Sequence, residues 1–226
     1  MDWSAYDALT FDCYGTLIDW ERGLLEALAP HPTGAGAEEL LEAYAGLESG
    51  LEAGEYLPYR EVVARCLDGL GARYGFTPSA EQRAAFADAV GDWPAFADSA
   101  AALARLARRF RLGVITNCDD DLFARSNAAL GVEFDWVITA QQARGYKPDP
   151  GNFRLAFERI EVPRERILHV AQSLFHDHVP AKALGMTTVW IDRRGGRAGG
   201  ATPPADARPD ATFPDMASFA QAATKR

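Results

Sequence analysis

Short apolar segments alternate with amphipathic segments over much of the chain, and each apolar segment ends in polar residues. The apolar segments are residues 6–11, 112–115, 136–138, 167–171 and 187–191. Segments of this length, bounded by glycine and polar residues, predict buried β-strands, and the longer segments between them predict helices. Because strands that alternate with helices form βαβ units, we expect an α/β fold with a doubly wound parallel sheet.

Several helix ends can be predicted from capping residues. The acidic residues 119–121 are suited to begin a helix that ends near Gly131. Further along, Asp149 can cap a helix over about residues 152–160. A later helix is expected to stop at Gly185, because glycine adopts the backbone conformation that ends many helices.

The pattern changes between about residues 19 and 95, where helical segments follow one another without comparable strands. We interpret residues 19–95 as an all-helical cap inserted after the first strand, with 1–18 and 96–226 forming a Rossmann-like core. Residues 193–209 are rich in glycine, proline, alanine and arginine, which predicts a surface loop. A terminal helix is expected over about 215–223.

Charge, terminal sequence and cysteine content indicate which partners and which location to expect. The chain has 226 residues and a net charge of −9, so nucleic acid and anionic membranes would repel it as a whole, and we expect neither as a partner. The first residues carry no basic region followed by an apolar run, and no segment has the length and apolar character of a membrane span. The three cysteines are widely spaced and odd in number, which is typical of reduced thiols, so we expect a cytoplasmic protein.

Polar residues follow four of the predicted strands. Because the carboxyl ends of parallel strands meet at one edge of a sheet, we expect these residues to share one crevice. They are Asp12, Tyr14 and Thr16 after the first strand, Thr116 and Asn117 after the second, Lys147 after the third, and Gln172, Ser173 and Asp177 after the fourth.

These residues occur in motifs that resemble the haloacid dehalogenase (HAD) superfamily. The motifs, in chain order, are FDCYGTL at 11–17, Thr-Asn at 116–117, Lys-Pro at 147–148, and the segment 173–177. The resemblance implies a HAD-type Rossmann-like core with an inserted cap, and a hydrolase whose nucleophile is the carboxylate of Asp12. Such a carboxylate displaces a leaving group and forms an ester or acyl phosphate that water then cleaves.

The other motif residues suit that chemistry. Lys147 would hold a positive charge beside Asp12 and keep it ionised. Thr16, Thr116 and Asn117 can donate hydrogen bonds to the nucleophile or to a substrate anion, and Asp177 can orient Lys147 or the hydrolytic water. We also predict substrate contacts from five residues, with cap-core packing as the alternative role of the tryptophan. These are Tyr14, Leu17, Trp20, Gln172 and Ser173.

Two positions bear on whether a metal is needed. HAD phosphatases usually have a second aspartate where Tyr14 stands, and an acidic magnesium ligand where Gln172 stands. Because magnesium prefers carboxylate oxygens, we expect a metal-independent reaction with no cofactor. A magnesium-dependent phosphatase that keeps Asp177 as a ligand remains an alternative, as does a catalytically silent member that binds a small acid or a protein.

The motif around Asp12 resembles the type II 2-haloacid dehalogenases, which implies a reaction at the carbon next to a carboxylate. A small carboxylate is therefore the expected substrate, and a homodimer is left open. Those enzymes normally supply a cap arginine to the halide, but none lies between Arg22 and Arg60, and Leu174 and Phe153 replace their usual asparagine and tyrosine. The segments 11–21, 92–96 and 173–178 also resemble azetidine-2-carboxylate hydrolase, so ring opening is an alternative.

Overall fold

A six-stranded parallel sheet forms the centre of the protein in the computed structural model, which describes residues 1–197 and 202–225. The strands lie in the order β3-β2-β1-β4-β5-β6. Their bounds are β1 Ala8–Phe11, β2 Arg111–Thr116, β3 Trp136–Thr139, β4 Ile167–Ala171, β5 Thr187–Ile191 and β6 Ala211–Phe213. The direction of winding reverses between β1 and β4, so a crevice opens at the carboxyl ends of these two strands.

The five strands expected from the apolar segments are confirmed, and a sixth is added at the edge of the sheet. The strand β6 pairs with β5 in parallel, with Ile191 aligned to Phe213. Sequence patterns missed it because it has three residues, none of them fully buried, and therefore no long apolar run. The loop expected over 193–209 lies partly outside the described residues, since positions 198–201 are not described.

The described part of the chain contains ten α-helices. They are α1 Trp20–Leu28, α2 Ala37–Glu52, α3 Tyr59–Tyr74, α4 Ala80–Asp88, α5 Ser99–Leu106, α6 Asp120–Leu130, α7 Ala140–Ala143, α8 Gly151–Arg159, α9 Val179–Ala183 and α10 Met216–Ala223. A π-helix, Leu174–His178, leads into α9. Among the residues described, no helix combines the length and the apolar character that crossing a membrane requires.

Helix ends agree with most of the capping predictions. The helix α6 ends at Gly131, which has a left-handed φ of 64°. One correction concerns α8, whose N-cap is Pro150 rather than Asp149. The carboxylate of Asp149 still accepts a hydrogen bond from the first residue of that helix, Gly151, at 2.7 Å.

Helices α1 to α4 and a short 3-10 helix, Ala89–Asp92, form a helical insertion between β1 and α5. The chain enters the insertion after Ile18 and returns at Ala95, and these two residues form an isolated antiparallel bridge. The insertion contains no strand, as its sequence pattern predicts. Its buried residues join those of the sheet and of α5, α6 and α10 in one continuous apolar core. Helices α8 and α9 pack in a second cluster that includes Ile115 of β2 and Ile138 of β3.

One carboxylate ties the insertion to the core. The acidic residues 119–121 begin α6 as expected, but the side chain of the N-cap residue, Asp119, makes no capping bond there. It accepts hydrogen bonds from the backbone N–H groups of Tyr59 at 2.9 Å and Arg60 at 3.0 Å, at the start of α3. The N-cap of α3 is Pro58, which has no side-chain acceptor, so Asp119 satisfies donors that the local sequence leaves free.

Candidate functional site

Asp12 lies at the carboxyl end of β1, and both of its carboxylate oxygens are engaged. Lys147 Nζ donates to Oδ1 at 2.9 Å, and Thr16 Oγ1 donates to Oδ2 at 2.6 Å. Asp12 is only 6% exposed. Burial raises the pKa of its carboxyl above the usual value, although the charge of Lys147 opposes that effect. The structure therefore brings together three of the residues predicted from the motifs.

Lys147 carries its charge in an almost fully buried position between two carboxylates. Its Nζ donates to Asp12 Oδ1, to Asp177 Oδ1 at 2.6 Å and to the carbonyl oxygen of Ile115 at 2.9 Å. Burial disfavours the charged amine, but the two carboxylates outweigh it and raise the pKa of Lys147. The lysine therefore stays protonated, and its three N–H groups are all used.

Asp177 holds Lys147 and is itself held from the sheet. Its Oδ1 is 3.0 Å from Nε2 of His169 in β4, and Nδ1 of His169 is 3.0 Å from Thr10 Oγ1 in β1. Burial opposes ionisation of Asp177, yet Lys147 and His169 keep its pKa below the ordinary value. Its Oδ2 has no hydrogen-bond partner among the described residues. Sequence reasoning missed His169, because a histidine inside an apolar strand has the pattern of a core residue.

The two residues after β2 have different surroundings. Thr116 is fully buried, lines the crevice, and has no partner for its Oγ1 among the residues described. Asn117 was expected to donate to the nucleophile or to a substrate anion. Its amide instead brackets the backbone of Lys147, accepting from the N–H at 2.8 Å and donating to the carbonyl at 3.0 Å. Asn117 thus positions the lysine.

Tyr14 lines the crevice, and its hydroxyl bonds residues other than Asp12. The hydroxyl pairs with Ser126 Oγ at 2.9 Å and accepts from Cys118 Sγ at 3.3 Å. The ring packs edge-on against Trp93, with 6.0 Å between centroids. Burial raises the pKa of this phenol well above its usual value, so it remains neutral.

Gln172 and Ser173 follow β4 and line the same crevice. The N–H of Gln172 donates to Thr16 Oγ1 at 2.9 Å, which orients the hydroxyl that in turn reaches Asp12. A Cβ at Gly15, whose φ is +90°, would lie 3.3 Å from Gln172 Oε1, so this turn favours glycine. Ser173 Oγ accepts from the N–H of His176 at 2.9 Å and starts the π-helix.

The two predicted apolar contacts have different positions. Trp20 lines the crevice and also packs edge-on against Tyr44 and Trp93, so its wall and packing roles coexist. Leu17 does not line the crevice; it is fully buried in the main core, and its carbonyl accepts from Ser99 Oγ at 2.7 Å. The prediction for Leu17 is corrected because its side chain faces the interior rather than the crevice.

The insertion adds three crevice residues that the motifs did not include: Glu48 and Glu52 of α2, and Tyr59 of α3. Glu48 is 6% exposed and accepts from Tyr59 Oη at 2.8 Å. A signal was present in the sequence, since Glu48 continues the apolar stripe of Leu41 and Tyr44 at helical spacing. A glutamate on a buried stripe is a feature that needs an explanation.

Two histidines near the site are neutral at physiological pH. Burial lowers the pKa of His176 to about 4, and it lowers the pKa of His178 to about 4 as well. His176 lines the crevice, and its Nε2 has no hydrogen-bond partner among the described residues. His178 is 0% exposed, and its Nε2 lies 3.0 Å from the carbonyl oxygen of Ala171.

Comparisons with known proteins give the family of the chain. A family model described as haloacid dehalogenase-like hydrolase matches residues 6–183. One relative is "Haloacid dehalogenase-like hydrolase domain-containing protein 3" of Danio rerio, which is 31% identical over 108 residues. The match covers 47% of this chain and 45% of that protein, so it spans less than half of either. "(S)-2-haloacid dehalogenase" of Pseudomonas putida is 28% identical over 198 residues, covering 83% of this chain and 85% of the relative.

The fold is also found among solved structures. The L-2-haloacid dehalogenase from Xanthobacter autotrophicus, with chloropropionic acid covalently bound, superposes with a TM-score of 0.82. The two chains are 21% identical, and the match covers 96% of this chain and 97% of the other. The likeness shows that the sheet and the surrounding helices form the same α/β fold.

Proposed function

Since the chain belongs to the haloacid dehalogenase-like hydrolases, we propose that Asp12 is the covalent nucleophile of a reaction at the carbon next to a carboxylate. The observation that carries this proposal is the clamp on Asp12. One oxygen accepts from Lys147 and the other from Thr16, so the carboxylate is fixed in orientation at the edge of the crevice. The relatives named 2-haloacid dehalogenases support the choice of reaction.

The reaction has two steps. A carboxylate oxygen of Asp12 forms a bond to the substrate carbon as the bond to the leaving group breaks, which gives an ester. Water then attacks Cγ of Asp12 and the bond between Cγ and the ester oxygen breaks; that oxygen takes one proton and becomes the product hydroxyl, and the second proton is released as the carboxylate is restored. Lys147 stabilises the carboxylate that is consumed in the first step and restored in the second, while Asp177 and Asn117 position the lysine.

The residues do not fit the magnesium site of a HAD phosphatase. A hard dication needs carboxylate oxygens, and Tyr14 and Gln172 offer a phenol and an amide instead. Both oxygens of Asp12 are already engaged, and the ammonium of Lys147 lies between Asp12 and Asp177. We therefore propose a metal-independent reaction.

Ring opening of a cyclic amino acid is a second candidate, and the lining of the crevice favours it. Among the lining residues that the structure describes, none is an arginine that could receive a halide, whereas two are glutamates from the insertion. A strained ring leaves as an amine that stays attached to the product, so it needs no halide site.

The test is a single-turnover reaction in oxygen-18 water with enzyme in excess, carried out separately with 2-chloropropionate and with azetidine-2-carboxylate. We expect one heavy oxygen in the peptide that contains Asp12, and product oxygen that comes from the enzyme. The same reactions in excess chelator should proceed at an unchanged rate. Turnover that leaves the Asp12 peptide unlabelled would refute the nucleophile, and Asp12→Asn, which should be inactive, is the control.

A further inference from the structure

The crevice has an acidic side that the proposed reaction does not use. Glu48 and Glu52 are four residues apart on α2, so their side chains share one face of the helix. Both line the crevice that also contains Asp12 and Lys147. The Glu48 residue is 6% exposed and the Glu52 side chain 5% exposed, so both carboxyl groups are largely removed from water.

Neither glutamate has a cationic partner among the described residues that line the crevice. Glu48 accepts from the phenol of Tyr59, and Glu52 accepts from Asn117 Nδ2 at 3.3 Å. The imidazole of His176 lies 3.8 Å from Glu52, but burial lowers its pKa to about 4, so it brings no charge at neutral pH. Lys147 is the basic residue of the described lining, and it is already held by Asp12 and Asp177.

This arrangement is costly without a ligand. Buried carboxylates that lack a cation are driven towards their protonated form, and burial raises the pKa of Glu48 to about 7. The pKa of Glu52 is also raised well above its usual value by burial and by the neighbouring charge of Glu48. A cation between the two side chains would compensate both, whereas an anion would be repelled by them.

A separate observation indicates that a ligand belongs in this crevice. Thr116, on the sheet side of the crevice, is fully buried, and its Oγ1 has no partner among the residues described. Buried hydroxyl groups in proteins nearly always have hydrogen-bond partners, so this one is available to a bound molecule. The hydroxyl can donate to a carboxylate, while the glutamates of the same crevice can accept from an ammonium group.

We propose that Glu48 and Glu52 bind the protonated amine of the substrate, so that the substrate is a small carboxylic acid that also carries an ammonium group. This rests on the proposed function, in which Asp12 attacks a carbon next to the carboxylate. The ammonium supplies the N–H donors and the positive charge that the glutamates lack, and the carboxylate end lies towards Thr116. A plain 2-halo acid offers no group for the acidic side.

The test compares two probes of the same size that differ in charge. Azetidine-2-carboxylate has a protonated ring nitrogen, and oxetane-2-carboxylate has an ether oxygen at that place. Binding is measured by calorimetry to Asp12→Asn, which cannot form the ester, so the readout does not depend on turnover. We expect the amine to bind more tightly by about tenfold or more, the effect of one or two hydrogen bonds to charged groups.

Two variants in the Asp12→Asn background assign the preference to the glutamates. Glu52→Gln keeps the shape of the side chain and removes its charge, and it should bring the two affinities within about threefold of each other, since most of a charge-assisted bond is lost. Glu42→Gln makes the same change at an exposed position of α2 and should leave the preference intact.

The outcomes separate this proposal from the proposed function. The amine site would be overturned if the two probes bound equally, if the ether bound more tightly, or if neither bound. It would also be overturned if the preference for the amine survived Glu52→Gln. If the amine site failed while Asp12 still gained the heavy oxygen with 2-chloropropionate, the nucleophile would stand. An amine preference without labelling of Asp12 would refute the nucleophile and leave the amine site standing.

Discussion

Lys147→Met tests whether one buried ammonium holds two carboxylates together. The substitution keeps most of the volume of a side chain that is 1% exposed, but it removes the partner of Asp12 and of Asp177. Removing one member of a buried ion pair costs about 3–5 kcal/mol, because the remaining charge stays buried without compensation. We expect a loss in the free energy of unfolding of this size at pH 8, together with loss of turnover.

The assay is urea unfolding of the wild type and of two variants. Lys182→Met is the control, because Lys182 also pairs with an aspartate, Asp210 at 2.7 Å, but its side chain is 33% exposed. We expect the control to lose no more than about 1 kcal/mol. The loss in Lys147→Met should be smaller at pH 5, since protonation neutralises the stranded carboxylates. A loss no greater than that of the control would refute the reasoning.

Two further predictions concern the insertion. Gly23→Ala should destabilise the protein by about 1–3 kcal/mol, because the new Cβ would lie 2.3 Å from Trp93 Cγ. The control is Gly46→Ala on α2, whose Cβ meets no atom within 4 Å and which should stabilise the protein by up to about 1 kcal/mol. Equal effects of the two variants in urea unfolding would contradict the packing. Burial raises the pKa of Glu48 from 4.5 to about 7, so the wild type loses stability as the pH rises. The contribution of Glu48 to the free energy of unfolding is fully present below pH 4.5 and is lost above pH 7. Glu48→Gln should therefore gain about 3 kcal/mol relative to the wild type between pH 4 and pH 8, and a difference independent of pH would refute the assignment.

Much of the core could be predicted from the sequence because local patterns specify it. Each of the five predicted strands is a short apolar run, and polar residues that follow four of them line one crevice, as the parallel topology predicts. The placement of Lys147 beside Asp12 was expected from the motif resemblance, because β2 lies between β1 and β3 and Lys147 comes eight residues after β3 ends. The edge strand β6 was missed because its residues are partly exposed and carry no apolar run.

The insertion's part of the site was harder to predict, because it depends on how helices pack rather than on local patterns. The face of α2 that points to Asp12 is set by the packing of α1 and α3, so the role of Glu48 and Glu52 required the tertiary structure. Asn117 illustrates the same limit. Its amide was expected to donate to the nucleophile or to a substrate anion, but it bonds the backbone of Lys147 instead.

The carboxylate of Asp119 has a consequence for any attempt to exchange helical insertions between relatives. It belongs to the core, but the donors it serves are the N–H groups that open α3. A core grafted with a foreign insertion would keep an anion that is 4% exposed, and would lose both of its partners unless the incoming helix began at the same point. Chimaeras should therefore be joined so that a helix N-terminus meets this side chain.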